Sequence, residues 1–279
     1  MRARTAPTLE DVARQAGVSR ATASRVINAD PRVREGARVA VSAAVADLGY
    51  RPNRAARRLV TQAADSIAVV VPESDERVFT DPFFSGLLRG VTRALASTPL
   101  QLVLVMGKPD DDDRRMERYL RGGHTDGAIV VSHHQDDNLW RVLAETKLPS
   151  VFLGRPYAEA SRLPYVDVDN TTGAVLAAQH LIERGCRRIG TVTGPQDMSA
   201  GRDRRRGWTN ALVAAGLSVD LVESGDFTPA GGAIATRRLL ERAPDLDGLF
   251  VASDQMAVAS IAELAQSGRS VPGDVAVVG

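Results

Sequence analysis

A single cysteine, Cys186, in 279 residues excludes a disulfide framework and a zinc site built on thiolates. Lysine is almost absent: 33 of the 35 basic side chains are arginine, spread through both halves of the chain, which is a matter of overall composition rather than of one site. Aromatic residues make up only 4%. No run approaches the roughly 18 consecutive apolar residues of a membrane-crossing helix, and the opening MRARTAP leads into no signal-peptide core. A cytoplasmic protein with no membrane partner is expected. There is no P-loop, no G-x-S-x-G elbow and no dinucleotide fingerprint, so the sequence gives no support to an enzyme, and no catalytic residue or cofactor is expected.

What is present is 44% hydrophobic residues, enough for substantial cores in two or three units and too many for wholesale disorder. The net charge of +1 hides a strong asymmetry. Residues 1–60 carry twelve arginines against five acidic residues, a net +7, and the remainder is −6. A basic head on an acidic body suggests a polyanion-binding module joined to something else.

Three short helices fit the head. Thr8 is placed to cap the first, with Asp11 three residues on and Leu9, Val12, Ala13 and Ala16 repeating at i, i+3, i+4, i+7. Gly17 ends that helix where a left-handed turn is needed. Ser19 caps a second helix with Ala23, Val26 and Ile27 on its apolar face, and a third runs from about Gly36 to Leu48, with Val41, Ala44, Val45 and Leu48 inward and Gly49 as its stop. Two short helices across a tight turn, braced by a third, make a helix-turn-helix. On the second helix, Arg20, Ala21, Ser24 and Arg25 lie opposite the apolar face and near the start, the part of a recognition helix that reaches base edges in the major groove. Arginine donates two hydrogen bonds to O6 and N7 of guanine, and alanine touches a thymine methyl group. A merely solvated polar face is the plain alternative; the +7 charge and the turn chemistry favour DNA.

Downstream, in YRPNRAARRL, Asn53 is placed to cap a short helix carrying Arg54, Arg57 and Arg58, with Leu59 near its end. Such a segment reads either as a linker or as a minor-groove device in which an apolar side chain wedges between base steps. TQAADS then joins it to the body.

TLEDVARQAGVSRATASRVIN followed by LGYRPNRAARRL resembles the head and hinge of the LacI/GalR family of bacterial transcriptional repressors. The resemblance implies that Arg20, Ala21 and Arg25 read bases, that Ser19, Thr22, Ser24 and Asn28 make phosphate or supporting contacts, and that Asn53, Arg54, Arg58 and Leu59 form a minor-groove hinge that folds only in the DNA-bound dimer. Three positions depart from the family's habit: Ala23 stands for valine, Arg34 for a helix-capping serine and Ala37 for threonine. They bear on the small core and on the entry of the third helix, not on the base-reading face.

From Ile67 short β runs alternate with helices. The strands expected are Ile67–Val71, Leu102–Met106, Ala128–Val131, Val151–Leu153, Tyr165–Val168, Ile189–Thr193, Val219–Val222, Leu249–Ala252 and Val275–Val278, and the clearest helix is Thr172–Arg184. This alternation predicts right-handed βαβ units and parallel sheets with helices on both faces, two such units rather than one. Ligands of open parallel sheets bind beyond the carboxyl ends of the strands.

The resemblance continues through SIAVVVPESDERVFTDPFFSGLLRGV, VDVDNTTGAVLAAQHLIERGCRRIG, TGPQDMSAGRDRRRGW and GLFVASDQMAVA. It implies an α/β protein: an all-α helix-turn-helix head at 1–50, a hinge and linker at 51–65, and a periplasmic-binding-protein-like body whose subdomains, 66–164 and 165–279, close around a small molecule. By position, Phe83 and Phe84 lie in the loop after the first strand, Arg204 matches the effector-anchoring arginine, Trp208 a cleft aromatic, and Ser253 and Asp254 the loop after a strand of the second subdomain. Aromatic rings stack on sugar or base faces, and arginine offers fixed donor pairs. Structural roles compete with each assignment. At least one of Phe83 and Phe84 belongs in a core, Asp254 suits the N-cap of a helix starting near Gln255, and of Arg202, Arg204, Arg205 and Arg206 at most two point inward.

His133, His134, Asp136 and Asp137 form the one cluster suggestive of a metal, but neighbours at a strand end point apart and no distant ligand is indicated, so no metal is expected. Asp110–Asp113 suits the start of a helix, and Cys186 is expected to be packed rather than reactive. The final VPGDVAVVG reads as a turn and a strand. The family continues with an acidic effector loop and a crossover back to the first subdomain, so the second subdomain is expected to be incomplete, with an exposed sheet edge and weakened effector binding if nothing follows.

The function expected is a sequence-specific DNA-binding regulator, a repressor, acting as a homodimer on a near-palindromic operator under control of a small-molecule effector, a carbohydrate. The alternative is a metabolite-binding module whose head is vestigial or binds DNA without sequence choice.

Overall fold

The computed structural model describes residues 7–51, 63–107, 114–156 and 163–279. The expected hinge residues Asn53, Arg54, Arg58 and Leu59, and the run Asp110–Asp113, lie outside the described residues. The chain divides into two compact units, Met1–Ala63 and Ala64–Gly279.

In the first unit, α1 (Leu9–Gln15), α2 (Arg20–Ile27) and α3 (Glu35–Leu48) follow the local punctuation of the sequence. Thr8 and Asp11 form a reciprocal capping box: the Thr8 hydroxyl accepts from the Asp11 N–H at 3.3 Å, and the Asp11 carboxylate accepts from the Thr8 N–H at 3.0 Å. Ser19 caps α2, accepting from the Thr22 N–H at 3.1 Å. Gly17 and Gly49 both take left-handed conformations, as the two turns demand. Arg34 makes no capping bond, and α3 starts at Glu35, one residue before the position the pattern suggests. Val12, Ala13, Ala23, Val41 and Ala44 are buried, with Leu9, Val26, Ile27, Val45 and Leu48 packed around them.

The second unit holds two parallel sheets. The first is built from β1 (Ser66–Val71), β2 (Gln101–Met106), β3 (Gly127–Val131), β4 (Ser150–Leu153) and β5 (Tyr165–Val166), in the order β2-β1-β3-β4-β5. Between its strands run α4 (Asp75–Thr80), α5 (Pro82–Leu95), α6 (Arg115–Arg121) and α7 (Leu139–Thr146). Alternation along β1 sends Ala68 and Val70 to one face with Leu120, Leu143 and Phe152, and Val69 and Val71 to the other with Val78 and Phe84. Burial on both faces is why the strands read as apolar runs.

After α8 (Asn170–Glu183), the second sheet uses β6 (Ile189–Thr193), β7 (Val222–Ser224), β8 (Gly248–Val251) and β9 (Ala276–Val278), in the order β7-β6-β8-β9. Helices α9 (Ser199–Ala214), α10 (Pro229–Arg242) and α11 (Asp254–Gln266) complete it. Helices α8 and α9 press close because position 207 is glycine: a Cβ there would stand 2.3 Å from the Thr171 carbonyl oxygen.

All nine expected strands are found, with two notable changes of extent. The strand placed at Val219–Val222 is β7, and it begins only at Val222, which pairs with Thr191. Asp220, tied to Ser218 and Arg188, holds the preceding residues outside the ladder. β5 ends at Val166 rather than Val168, because the Val168 carbonyl turns to accept from the Asn170 N–H at the head of α8. Cys186 is packed as expected, and burial raises its thiol pKa. Among the described residues, no helix is long and apolar enough to cross a membrane, and no group of His, Cys, Asp and Glu is set to hold a metal.

Candidate functional site

The head presents the start of α2. Arg20, Ala21 and Arg25 are exposed and Ser24 half-exposed, while Ala23 is completely buried beneath them. Ser19 and Thr22 are engaged with each other, their hydroxyls 2.9 Å apart, so their first role is to fix the helix start. Asn28 is exposed at the C-cap, its amide 3.5 Å from the Ser24 hydroxyl. Arg20 is not free: its Nε lies 2.6 Å from Glu10 Oε1, linking α2 to α1.

In the body, the two sheets share one topology. Connections leave β1 toward β2 on one side and β3 on the other, and leave β6 toward β7 and β8 in the same way. Such switch points open a crevice at the strands' carboxyl ends. The loops beyond those ends carry Glu73 after β1, Ser132, His133 and His134 after β3, Asp197 after β6, and Ala252 and Ser253 after β8.

Arg204, on the first turns of α9, is fixed at this crevice. Its Nε donates to Asn170 Oδ1 at 2.9 Å and its Nη1 to the Ala252 carbonyl at 2.5 Å. Burial pulls its pKa down, against the charges of Asp167 and Asp254, which pull it up. Its guanidinium lies 5.8 Å from the centre of the Phe227 ring, and that of Arg77, on α4, lies 5.3 Å from the same ring. Phe227 rests on Gly194, where a Cβ would meet its ring at 2.1 Å.

Trp208 requires a correction. It is completely buried among Ala174, Ala178, Leu212 and Phe250, in the layer between helices and sheet, and does not line the crevice. Arg204 and Trp208 lie one turn apart on the inward side of α9. At the helix start that side meets the crevice; one turn later it lies over the sheet. The aromatic that the guanidiniums of Arg204 and Arg77 approach is Phe227, itself largely buried in the core around β6 and β8, and its signal in the sequence is an aromatic just before the Thr228 cap and Pro229 start of α10.

Phe83 is half-exposed and Phe84 is buried, their rings edge to face at 5.2 Å, so one of the pair serves the core. Ser253, not Asp254, caps α11, accepting from the Met256 N–H at 3.4 Å; Asp254 is an exposed residue of the first turn.

His134 also carries more than the sequence suggested. Its Nδ1 lies 2.7 Å from Asp197 Oδ2 and its Nε2 3.2 Å from Glu73 Oε1, so it bridges the two halves of the body. The Gln135 N–H reinforces this bridge by donating to the Asp197 carbonyl at 2.9 Å, and Arg155 meets Asp203 nearby at 2.5 Å. His133 turns the other way, toward the Gly154 carbonyl and the Phe152 ring. Burial alone raises the Glu73 pKa, but the bond from His134, the Arg77 charge and the Ser132 hydroxyl together hold it below the usual range. Bonding to Glu73, opposed by burial and helped by Asp197, pushes the His134 pKa up to about 9. Burial raises the Asp137 carboxyl to about 6.

Because His134 is raised, its contribution to stability is full below the unfolded value near pH 6.5 and disappears as pH rises through 9. Thermal unfolding at pH 6 and pH 9.5 should show wild type losing more than His134→Gln, by about 1–2 kcal/mol after solvent screening. Parallel pH profiles for the two proteins would mean the bridge carries no charge.

Residues 64–279 match the family described as periplasmic binding proteins and sugar binding domain of LacI family, and residues 8–53 match bacterial regulatory proteins, lacI family. The HTH-type transcriptional regulator CelR of Thermobifida fusca is 48% identical over 282 residues, spanning 100% of this chain and 83% of that protein. The ribose operon repressor of Escherichia coli (strain K12) is 34% identical, over 98% of this chain and 82% of its own. A solved complex of the transcriptional regulator CelR with cellobiose superposes with a TM-score of 0.74 at 46% identity, covering 98% of this chain and 82% of that one. The lac repressor dimer bound to operator and the anti-inducer ONPF superposes with a TM-score of 0.84 at 26% identity, covering 99% and 82%.

Proposed function

The chain belongs to the LacI family of bacterial regulatory proteins, and we propose that it acts as a homodimer on a near-palindromic operator, with a disaccharide of the cellobiose kind setting its operator affinity. It is a DNA-binding, sugar-responsive transcriptional regulator rather than an enzyme. Each head reads one half-site through Arg20, Ala21 and Arg25, with Ser19, Thr22, Ser24 and Asn28 holding the helix and its phosphates. The paired segments carrying Asn53, Arg54, Arg58 and Leu59 enter the central minor groove. Val258 and Ile261, exposed one turn apart on α11, are apolar surface that a second copy would cover.

The observation that carries the effector assignment is Arg204, locked onto Asn170 and Ala252 beside the Phe227 ring at the strand ends. A fixed guanidinium next to an aromatic face supplies the donor and the stacking surface that a sugar ring needs. The sugar acts only through its different affinity for two arrangements of the body.

The test is an anisotropy titration on an operator selected from randomised palindromes, with and without cellobiose. Selected and scrambled duplexes should differ by about 10³-fold or more, and saturating cellobiose should change operator affinity by about 5–150-fold. Equal affinity for both duplexes would reduce the head to a non-selective polyanion binder. A response to another sugar but not to cellobiose would reassign the effector.

A further inference from the structure

Arg77 has two features that the reading above leaves without a role. Its side chain is only 11% exposed, and its guanidinium shares the Phe227 ring with Arg204, although Arg77 belongs to the first half of the body and the other two to the second. Its Nη1 is held by Glu73, but its Nε is buried with no hydrogen-bond partner among the described residues. A buried donor left unpaired on a charged group is costly and calls for an explanation.

Glu73 aims this guanidinium. It accepts from the Ser132 hydroxyl at 2.6 Å and approaches His134 at 3.2 Å, so it is fixed from β3 as well as from α4. If Arg77 merely strapped the two halves together, a cation on the Phe227 ring would suffice and lysine would serve as well. The planar fork with its free Nε has no use in such a strap. When the halves part, Arg77 moves with α4 and Phe227 with the loop before α10, so Nε and the ring face are uncovered together. A molecule entering between them replaces one direct contact with two, one to each half.

Charge narrows the class of that molecule. Glu73 and Asp197 together balance Arg77 and His134, and Asp167 and Asp254 oppose the charge of Arg204, which leaves no surplus of positive charge for an anion. We propose that Arg77 is a second effector-reading arginine, contributed by the half opposite Arg204, whose Nε–H donates to an oxygen of a neutral polyhydroxylated effector stacked on Phe227. This rests on the crevice being a sugar site.

The full chain is first screened by thermal shift against cellobiose, glucose, galactose, ribose, glucose 6-phosphate and adenine. The ligand that stabilises wild type is then titrated calorimetrically into Arg77→Lys, Phe227→Leu, the double variant, and Glu76→Gln as an exposed control on the same helix. Arg77→Lys keeps the charge and loses the fork, so it should bind at least tenfold more weakly, with Glu76→Gln within twofold of wild type. Phe227→Leu should lose a similar factor, and the double variant should lose less than the product of the two, since both residues act on one ligand. Arg77→Lys within twofold of wild type, or losses that multiply fully, would overturn the assignment. A stabilising ligand outside the neutral sugars overturns the effector class, and Arg77→Lys titrated with that ligand then decides the residue by the same tenfold criterion. A wild type that responds to nothing in the panel overturns both.

Discussion

Trp208→Ala should destabilise the protein by about 3–5 kcal/mol, the range for truncating a fully buried tryptophan. In a body of this size that lowers the melting temperature by roughly ten degrees. The ring fills the layer where α8 and α9 meet the second sheet, a layer that Gly207 already draws tight, so little can collapse into the space. Trp208→Phe separates volume from polarity. The indole Nε1 is buried without a partner among the described residues, so phenylalanine loses volume but also removes an unsatisfied donor, and it should cost much less than alanine. Urea unfolding of both variants, read beside sugar titrations, decides the matter. An alanine variant that unfolds like wild type but no longer binds sugar would return Trp208 to the crevice.

Arg25→Ala should weaken operator binding by about 1–3 kcal/mol and relax one base position in each half-site. Arg25 is exposed on the face of α2 opposite the buried Ala23. A base contact and a phosphate contact leave different traces. Loss of a base contact shows as lost discrimination at one position, with the salt dependence nearly intact. Loss of a phosphate contact shows as uniform weakening, with a salt slope shallower by about one. Titrating the variant against an operator set mutated one position at a time, at several salt concentrations, tells them apart. Uniform weakening would move Arg25 from the base-reading set to the phosphate set.

The head was legible because its punctuation is local. Thr8 with Asp11, Ser19 with Thr22, and the glycines at 17 and 49 each act within four residues, and each does what its type suggests. Where the local signal is missing, at Arg34, the helix boundary was misjudged by a residue. The strands were legible because burial on both faces leaves unbroken apolar runs. Their ends were not: β5 stops with its partner β4, β7 starts only beyond the ties that hold Asp220, and no pattern within Tyr165–Val168 or Val219–Val222 records either limit. The crevice was read in part. Helical periodicity puts Arg204 and Trp208 on one side of α9 but cannot say where the sheet beneath gives way to open space. Phe227 and His134 escaped for a related reason: their roles depend on partners in the other half of the body, such as Asp197, 63 residues beyond His134.

If Arg20 reads a base as proposed, its pair with Glu10 makes that reading an exchange rather than a capture. A carboxylate offers a guanidinium two acceptor oxygens, much as guanine offers O6 and N7. In the free head, Arg20 Nε already has a carboxylate oxygen, Glu10 Oε1, at 2.6 Å. An exposed ion pair of this kind is worth about 1 kcal/mol at most, so a well-placed guanine edge, worth about 1–3 kcal/mol, displaces it. On that proposal, Glu10 sets a threshold that a half-site must exceed to be recognised.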